Sequence, residues 1–117
     1  MLSYKSRVSF EKRKADCANV LLKYPDKIPV IIEKDMLSPV TSIDKYKYLI
    51  PNTLTVSHLL CIIRTRIKLQ PTEAIFIFVN KTIPLSTLLL SELYKSHKDS
   101  DGFLYITYSG ENVFGSF

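Results

Sequence analysis

Apolar and polar positions along the chain follow two different spacings, and the switches between them mark out its elements. In "SFEKRKADCANVLLKYP", Phe10, Cys17, Val20, Leu21 and Tyr24 recur near helical spacing, with Ser9 placed to cap and Pro25 to stop. The apolar stripe is thin, so this helix is expected to lie on a larger body and leave a basic face in water. A shorter helical turn fits around residues 4 to 8. "KIPVIIEK" then reads as a strand whose two parities are both apolar, Ile28, Val30 and Ile32 on one side and Pro29 and Ile31 on the other. "DMLSPVTSID" carries the Pro, Ser and Asp of a loop. "KYKYLIP" is a second strand, closed by Pro51. In "TVSHLLCIIRTRIKL", Val56, Leu59, Leu60, Ile63 and Ile67 keep helical phase behind a Thr55 cap, with Arg64, Arg66 and Lys68 in the last turns where cations suit the helix dipole. "EAIFIFVN" is a strongly apolar third strand, expected at the centre of a sheet because both parities are of buried types. "KTIP" reads as a short edge strand or turn. "STLLLSELYKSHK" makes a short helix with Leu89, Leu90, Leu93 and Tyr94 inward, and "GFLYITYS" a last strand.

The order is therefore helix, strand, strand, helix, strand, short element, helix, strand. Strand pairs interrupted by a long helix predict an α+β fold with one mixed, four-stranded sheet and helices on one face. This is the β-grasp arrangement of ubiquitin, preceded by one or two N-terminal helices. No internal repeat or low-complexity stretch interrupts it.

The 117 residues, 46% of them hydrophobic, suffice for one ordinary core without staples. Cys17 and Cys61 fit no metal or redox spacing and are expected to be packed, reduced thiols in an intracellular protein. No secretory signal is expected, because Lys5 and Arg7 lead into "SFEKRK" and not into an apolar core. No apolar stretch approaches the ~18 to 20 residues of a membrane span. The net charge of +5 is concentrated at the front: residues 1 to 27 hold seven basic and three acidic groups. That segment is a solvated helix face or a surface for acidic partners.

Catalysis has little to work with. His58 and Cys61 share a helix face, but Cys61 falls in a leucine-rich middle and no glycine-rich oxyanion loop lies nearby. There is no phosphate loop, no paired-carboxylate signature, no metal-ligand set and no sign of a cofactor. The expectation is a protein that is not an enzyme. Specific nucleic-acid binding is not expected either, since the aromatics sit in apolar strands and do not form an open basic platform. The two-sided strands say more. If the long helix covers one sheet face, then Pro29, Ile31 and Leu49 must meet the N-terminal helix, with Asp16 and Val20 above them and Phe103 beneath. Strand 46 to 50 would be an edge guarded by Lys45 and Lys47, suited to pairing with an extended peptide. Plain core packing explains the same pattern.

"SFEKRK", "KYPDKIPVIIEK", "DKYKYLIP", "LTV…IRTRI", "FIFVN", "ELY", "GFLYITYS" and the terminal "VFG" resemble, in order and spacing from Ser9 to Gly115, the autophagy ubiquitin-like modifiers that include GABARAP. The resemblance implies a precursor divided into an N-terminal helical extension (1–25), a β-grasp domain (26–115) and a removable stub (116–117). A processing cysteine protease would cut between Gly115 and Ser116. E1-like and E2-like enzymes would then join Gly115 to phosphatidylethanolamine, so that a cytoplasmic protein reaches autophagosome membranes through lipidation only. Lacking a Cβ, glycine suits a narrow channel and an unhindered carbonyl.

The resemblance also implies two docking pockets for receptor and cargo proteins carrying short acidic–aromatic motifs. The first comprises Asp16, Val20, Pro29, Ile31, Lys45, Lys47, Leu49 and Phe103. The second comprises Tyr48, Ile50, Pro51, Leu54, Leu59, Ile62 and Arg66. Several positions depart from the family pattern: Leu59 stands for a common Phe, Asp16 for a frequent Glu, Gly102 for a Phe and Leu85 for a second proline, and "DMLSPVTSID" has no close match. An alternative of another class is a β-grasp adaptor that binds peptides in cytoskeletal or trafficking roles and is never conjugated.

Overall fold

The computed structural model describes residues 3–110. Two N-terminal helices, α1 (Tyr4–Arg7) and α2 (Phe10–Lys23), precede β1 (Lys27–Lys34) and β2 (Lys47–Pro51). Then come α3 (Val56–Arg66), β3 (Phe76–Phe78), α4 (Leu90–His97) and β4 (Leu104–Ser109). The strands form one sheet in the order β2-β1-β4-β3, with β1 and β4 parallel and the two outer pairs antiparallel.

Local chemistry accounts for the helix boundaries. The Ser9 side chain accepts from the Lys12 N–H at the start of α2, and Ser3 does the same for α1 through Ser6 N–H. Thr55 opens α3 with a capping box: its hydroxyl accepts from the His58 N–H while the His58 ring accepts from the Thr55 N–H.

Both parities of β1 are covered, which is why both are apolar. Ile28, Val30 and Ile32 join Ile50, Leu104, Ile106 and Tyr108 under Leu59, Ile63, Leu90 and Leu93 of α3 and α4 in the main core. On the opposite face Ile31 and Phe103 pack with Tyr4 of α1 and Cys17 of α2 in a second, smaller core.

Four expectations from the sequence need correction. β3 is an edge strand and not a central one; among the described residues it pairs only with β4. Ile77 of β3 and the flanking Ile75 and Val79 are buried in the main core, so burial came from packing beneath and not from strands on both sides. Leu89 is exposed and serves as the N-cap position of α4, leaving Leu90 and Leu93 inward. Cys61 is exposed: it lies two positions from both Leu59 and Ile63, about 200° around the helix, which turns it to solvent. Finally, the basic face of α2 is not all wet, because Arg13 is buried.

Candidate functional site

At one end of the sheet β2 pairs with β1 alone, so its outer edge is open to pairing among the described residues. Its register with β1 sorts the predicted residues by face. Pro29 lies opposite Leu49 and Ile31 opposite Lys47, while Ile28 lies opposite Ile50 and Val30 opposite Tyr48. Directly opposite residues share a face. The first set therefore faces α1 and α2, the second α3, and the β2 edge runs between them.

On the first face Ile31, Pro29 and Phe103 are buried and form a floor, and Leu49 and Val20 are half-buried. Asp16 bridges the two elements: its carboxylate lies 4.0 Å from Lys47 Nζ and 3.6 Å from Lys12 Nζ. Lys47 also rests over the Tyr4 ring at 5.0 Å. On the second face Leu59 is fully buried and Ile50 nearly so, with half-buried Tyr48, Leu54 and Ile62 packed around the core; Pro51, opposite Lys27, is exposed and by its register falls on the first face, not with this set. The Lys45 ammonium sits over the Tyr48 ring at 5.2 Å, on the side of this second set. Arg66 holds Asp44 with Nε and Nη2 at 3.2 and 3.0 Å, and this hydrogen bond raises the guanidinium's proton affinity further. Gly115 lies outside the described residues, as do Ser116 and Phe117.

Sequence reasoning missed what holds α2 in place. Arg13 Nε donates to Asp101 Oδ2 at 2.8 Å, and its Nη1 donates to the carbonyls of Val8 at 2.7 Å and Lys5 at 3.3 Å. Asp101, fully buried, also accepts from the Phe103 N–H at 2.8 Å and the Tyr105 hydroxyl at 2.5 Å. Burial, followed by that bond to Asp101, drives the Tyr105 phenol far above its ordinary range. Lys5 ties α1 to the same loop, 2.6 Å from Asp99. A carboxylate accepting from Arg, Tyr and backbone leaves no acceptor idle, which is the condition for burying charge. The signal was present in part: Arg13 precedes Cys17 by four and Leu21 by eight, so it stands on the buried stripe of α2.

A mixed sheet of this order, gripping α3 and α4 on one face, defines a ubiquitin-like β-grasp protein, here with two helices added across the other face. Residues 12–115 match the family model described as "Autophagy protein Atg8 ubiquitin like". The chain is 53% identical over 113 residues to autophagy-related protein 8 of Mycosarcoma maydis, covering 97% of this chain and 96% of that one. It is 54% identical over 114 residues to autophagy-related protein 8 of Neurospora crassa, covering 97% and 94%. Its fold is similar to the crystal structure of Trypanosoma brucei ATG8, with a TM-score of 0.90, 38% identity and coverage of 98% and 99%. The chain belongs to the Atg8 family of ubiquitin-like autophagy proteins.

Proposed function

We propose that this protein is a lipid-conjugated modifier that recruits peptide-bearing partners to autophagic membranes. The observation that carries the docking half is the open β2 edge with one apolar set on each face and Lys47 and Lys45 beside it. An extended peptide would add a strand along β2, its backbone supplying affinity and its alternate side chains entering the two sets. The motif's aromatic residue would displace the half-buried cover over Ile31 and Phe103. Its aliphatic residue would enter beside Tyr48, Leu54 and Ile62, and its acidic residues would take Lys47 from Asp16 and lift Lys45 from Tyr48. Arg66 becomes a further cation for the same motif once Asp44 releases it.

Family membership supports the covalent half. A cysteine protease would hydrolyse the Gly115–Ser116 bond, an E1-like enzyme would activate the new carboxylate, and E2-like thioester transfer would end in an amide with the amine of phosphatidylethanolamine. The lipid supplies membrane affinity of about 0.8 kcal/mol per buried CH₂, and no helix among the described residues is long and apolar enough to cross a membrane. The protein would thus be cytoplasmic until lipidation places it on the autophagosome.

The test is the intact mass of the protein recovered from its own cells, cytosol and membranes separately. The expected result is a cytosolic species ending at Gly115 and a membrane species heavier by one phosphatidylethanolamine, both lost in Gly115→Ala. A chain still carrying Ser116 and Phe117 in both fractions, with full peptide binding, would replace this reading with that of the unconjugated adaptor.

A further inference from the structure

The loop between β1 and β2 is fastened to the end of β4. Asp35 N–H donates to the Tyr108 carbonyl at 2.8 Å, and the Asp35 carboxylate accepts from the Leu37 N–H at 2.9 Å. Lys34 Nζ donates to the Ser38 carbonyl at 2.5 Å. Ser38 is buried, and its hydroxyl oxygen accepts from the N–H groups of Val40 at 3.3 Å and Gly110 at 3.0 Å. The apex of this turn carries Met36 and Leu37, which are 86% and 84% exposed. Neither belongs to either core. Two adjacent large apolar side chains are thus held in water by a backbone tied down on both sides.

The same turn marks where the chain leaves the sheet, since Gly110 is hydrogen-bonded to Ser38. From Gly110 to Gly115 the chain reaches at most about 17 Å. We propose that Met36 and Leu37 form a second membrane contact, entering the headgroup–acyl boundary of the bilayer whose lipid is joined to Gly115. The inference rests on conjugation at Gly115. Two side chains are too small to hold the free protein on a membrane, because even a single fatty chain binds only marginally. The tether changes this by raising the effective concentration of the tip at the surface. The fixed turn also spares the ordering cost that a mobile loop would incur on insertion. The contact therefore forms after lipidation, and it orients the β1 and β4 ends of the sheet toward the membrane.

The chain contains no tryptophan, so Met36→Trp supplies a single reporter. Leu85→Trp is the comparison: Leu85 is 74% exposed, on the segment that bonds to the start of α3 at the opposite end of the sheet. Both are placed in Gly115→Cys, Cys61→Ser protein, in which position 115 carries the accessible thiol because Cys17 is buried. The protein is coupled to phosphatidylcholine vesicles bearing a maleimide-headgroup lipid, which bypasses enzymatic conjugation. Met36→Trp emission is expected to shift to the blue on coupling and to be lost to lipids brominated near the headgroup, with Leu85→Trp unmoved and neither changed without maleimide. Met36→Trp emission that stays that of water after coupling overturns the proposal. So does equal quenching at both positions, or a blue shift that requires an added cytosolic protein. Coupling in vitro leaves the cellular mass measurement independent, so an unconjugated Gly115 in cells and a tip that stays in water are separate results.

Discussion

At the scale of single residues, Gly102 and Cys17 constrain each other. Gly102 has φ of +98°, and a Cβ there would stand 2.7 Å from Cys17 Sγ. Gly102→Ala is expected to destabilise the fold by about 1–3 kcal/mol through backbone strain alone, with the clash adding to it. Adding Cys17→Ala should relieve the clash and not the strain, so urea midpoints of the four-member cycle should be non-additive. Burial also pushes the Cys17 thiol up to about 11, whereas Cys61 is exposed. An aromatic disulfide at about pH 8 should therefore titrate Cys61 in the native protein and reach Cys17 only after urea. Phase on a helix was legible for Cys17 but not for Cys61, because "LLCII" is apolar throughout and gives no edge from which to read the stripe. Arg13 shows the opposite difficulty: its phase said buried while its charge said wet, and the partner that decides it, Asp101, is 88 positions away.

Whole elements depend on a few such contacts. Thr55→Ala removes the hydroxyl half of the α3 capping box and should cost about 1 kcal/mol, seen as a lower urea midpoint with unchanged slope. Asp101→Ala leaves Arg13 buried without its anion and should cost about 3–5 kcal/mol; Arg13→Met in the same chain should recover part of it. α1 is held by the buried Tyr4, by the Tyr4 N–H bond to Glu33, by Arg13 on its carbonyls and, at its exposed side, by the Lys5–Asp99 ion pair. Burial raises the Asp99 carboxyl, but the hydrogen bonds from Lys5 and the Asp101 N–H outweigh it and leave the group below its ordinary range. A depressed folded value means that this stabilisation is complete above the unfolded value of about 3.9 and fades as pH falls through the folded one. Protection of the Ser6 and Arg7 amides, taken relative to their intrinsic exchange rates, should accordingly fall below about pH 4 ahead of the β-sheet, and Lys5→Met should lower it at higher pH and remove that part of the pH dependence. The limits of β1, α2 and α3 were readable because caps, Pro25 and clean periodicity agreed. The place of β3 was not, since apolar residues on both parities report burial without saying whether a strand or a helix provides it.

For the molecule as a whole, the two cores lie on opposite faces of the open β2 edge proposed for docking. Lys47→Glu should weaken an acidic–aromatic peptide and flatten the salt dependence of its binding, while Asp16→Asn, which frees Lys47, should strengthen it; calorimetric titration at two salt concentrations separates the two. The sheet and its open edge could be inferred from the alternation of apolar strands alone. That the floors Ile31, Phe103, Ile50 and Leu59 are closed in the free protein could not, because depth depends on how neighbouring elements settle. The parallel pairing of β1 with β4 has a mechanical side as well. A pull transmitted through the chain beyond Gly110 acts along β4, which lies between β1 and β3. Bonds on both flanks then bear the load in shear and must yield together, whereas a pull on the β2 edge could peel its bonds away one at a time. If the proposed lipid tether and docked peptide are both in place, a pull between them should release the peptide, or peel β2, before β4 leaves the sheet.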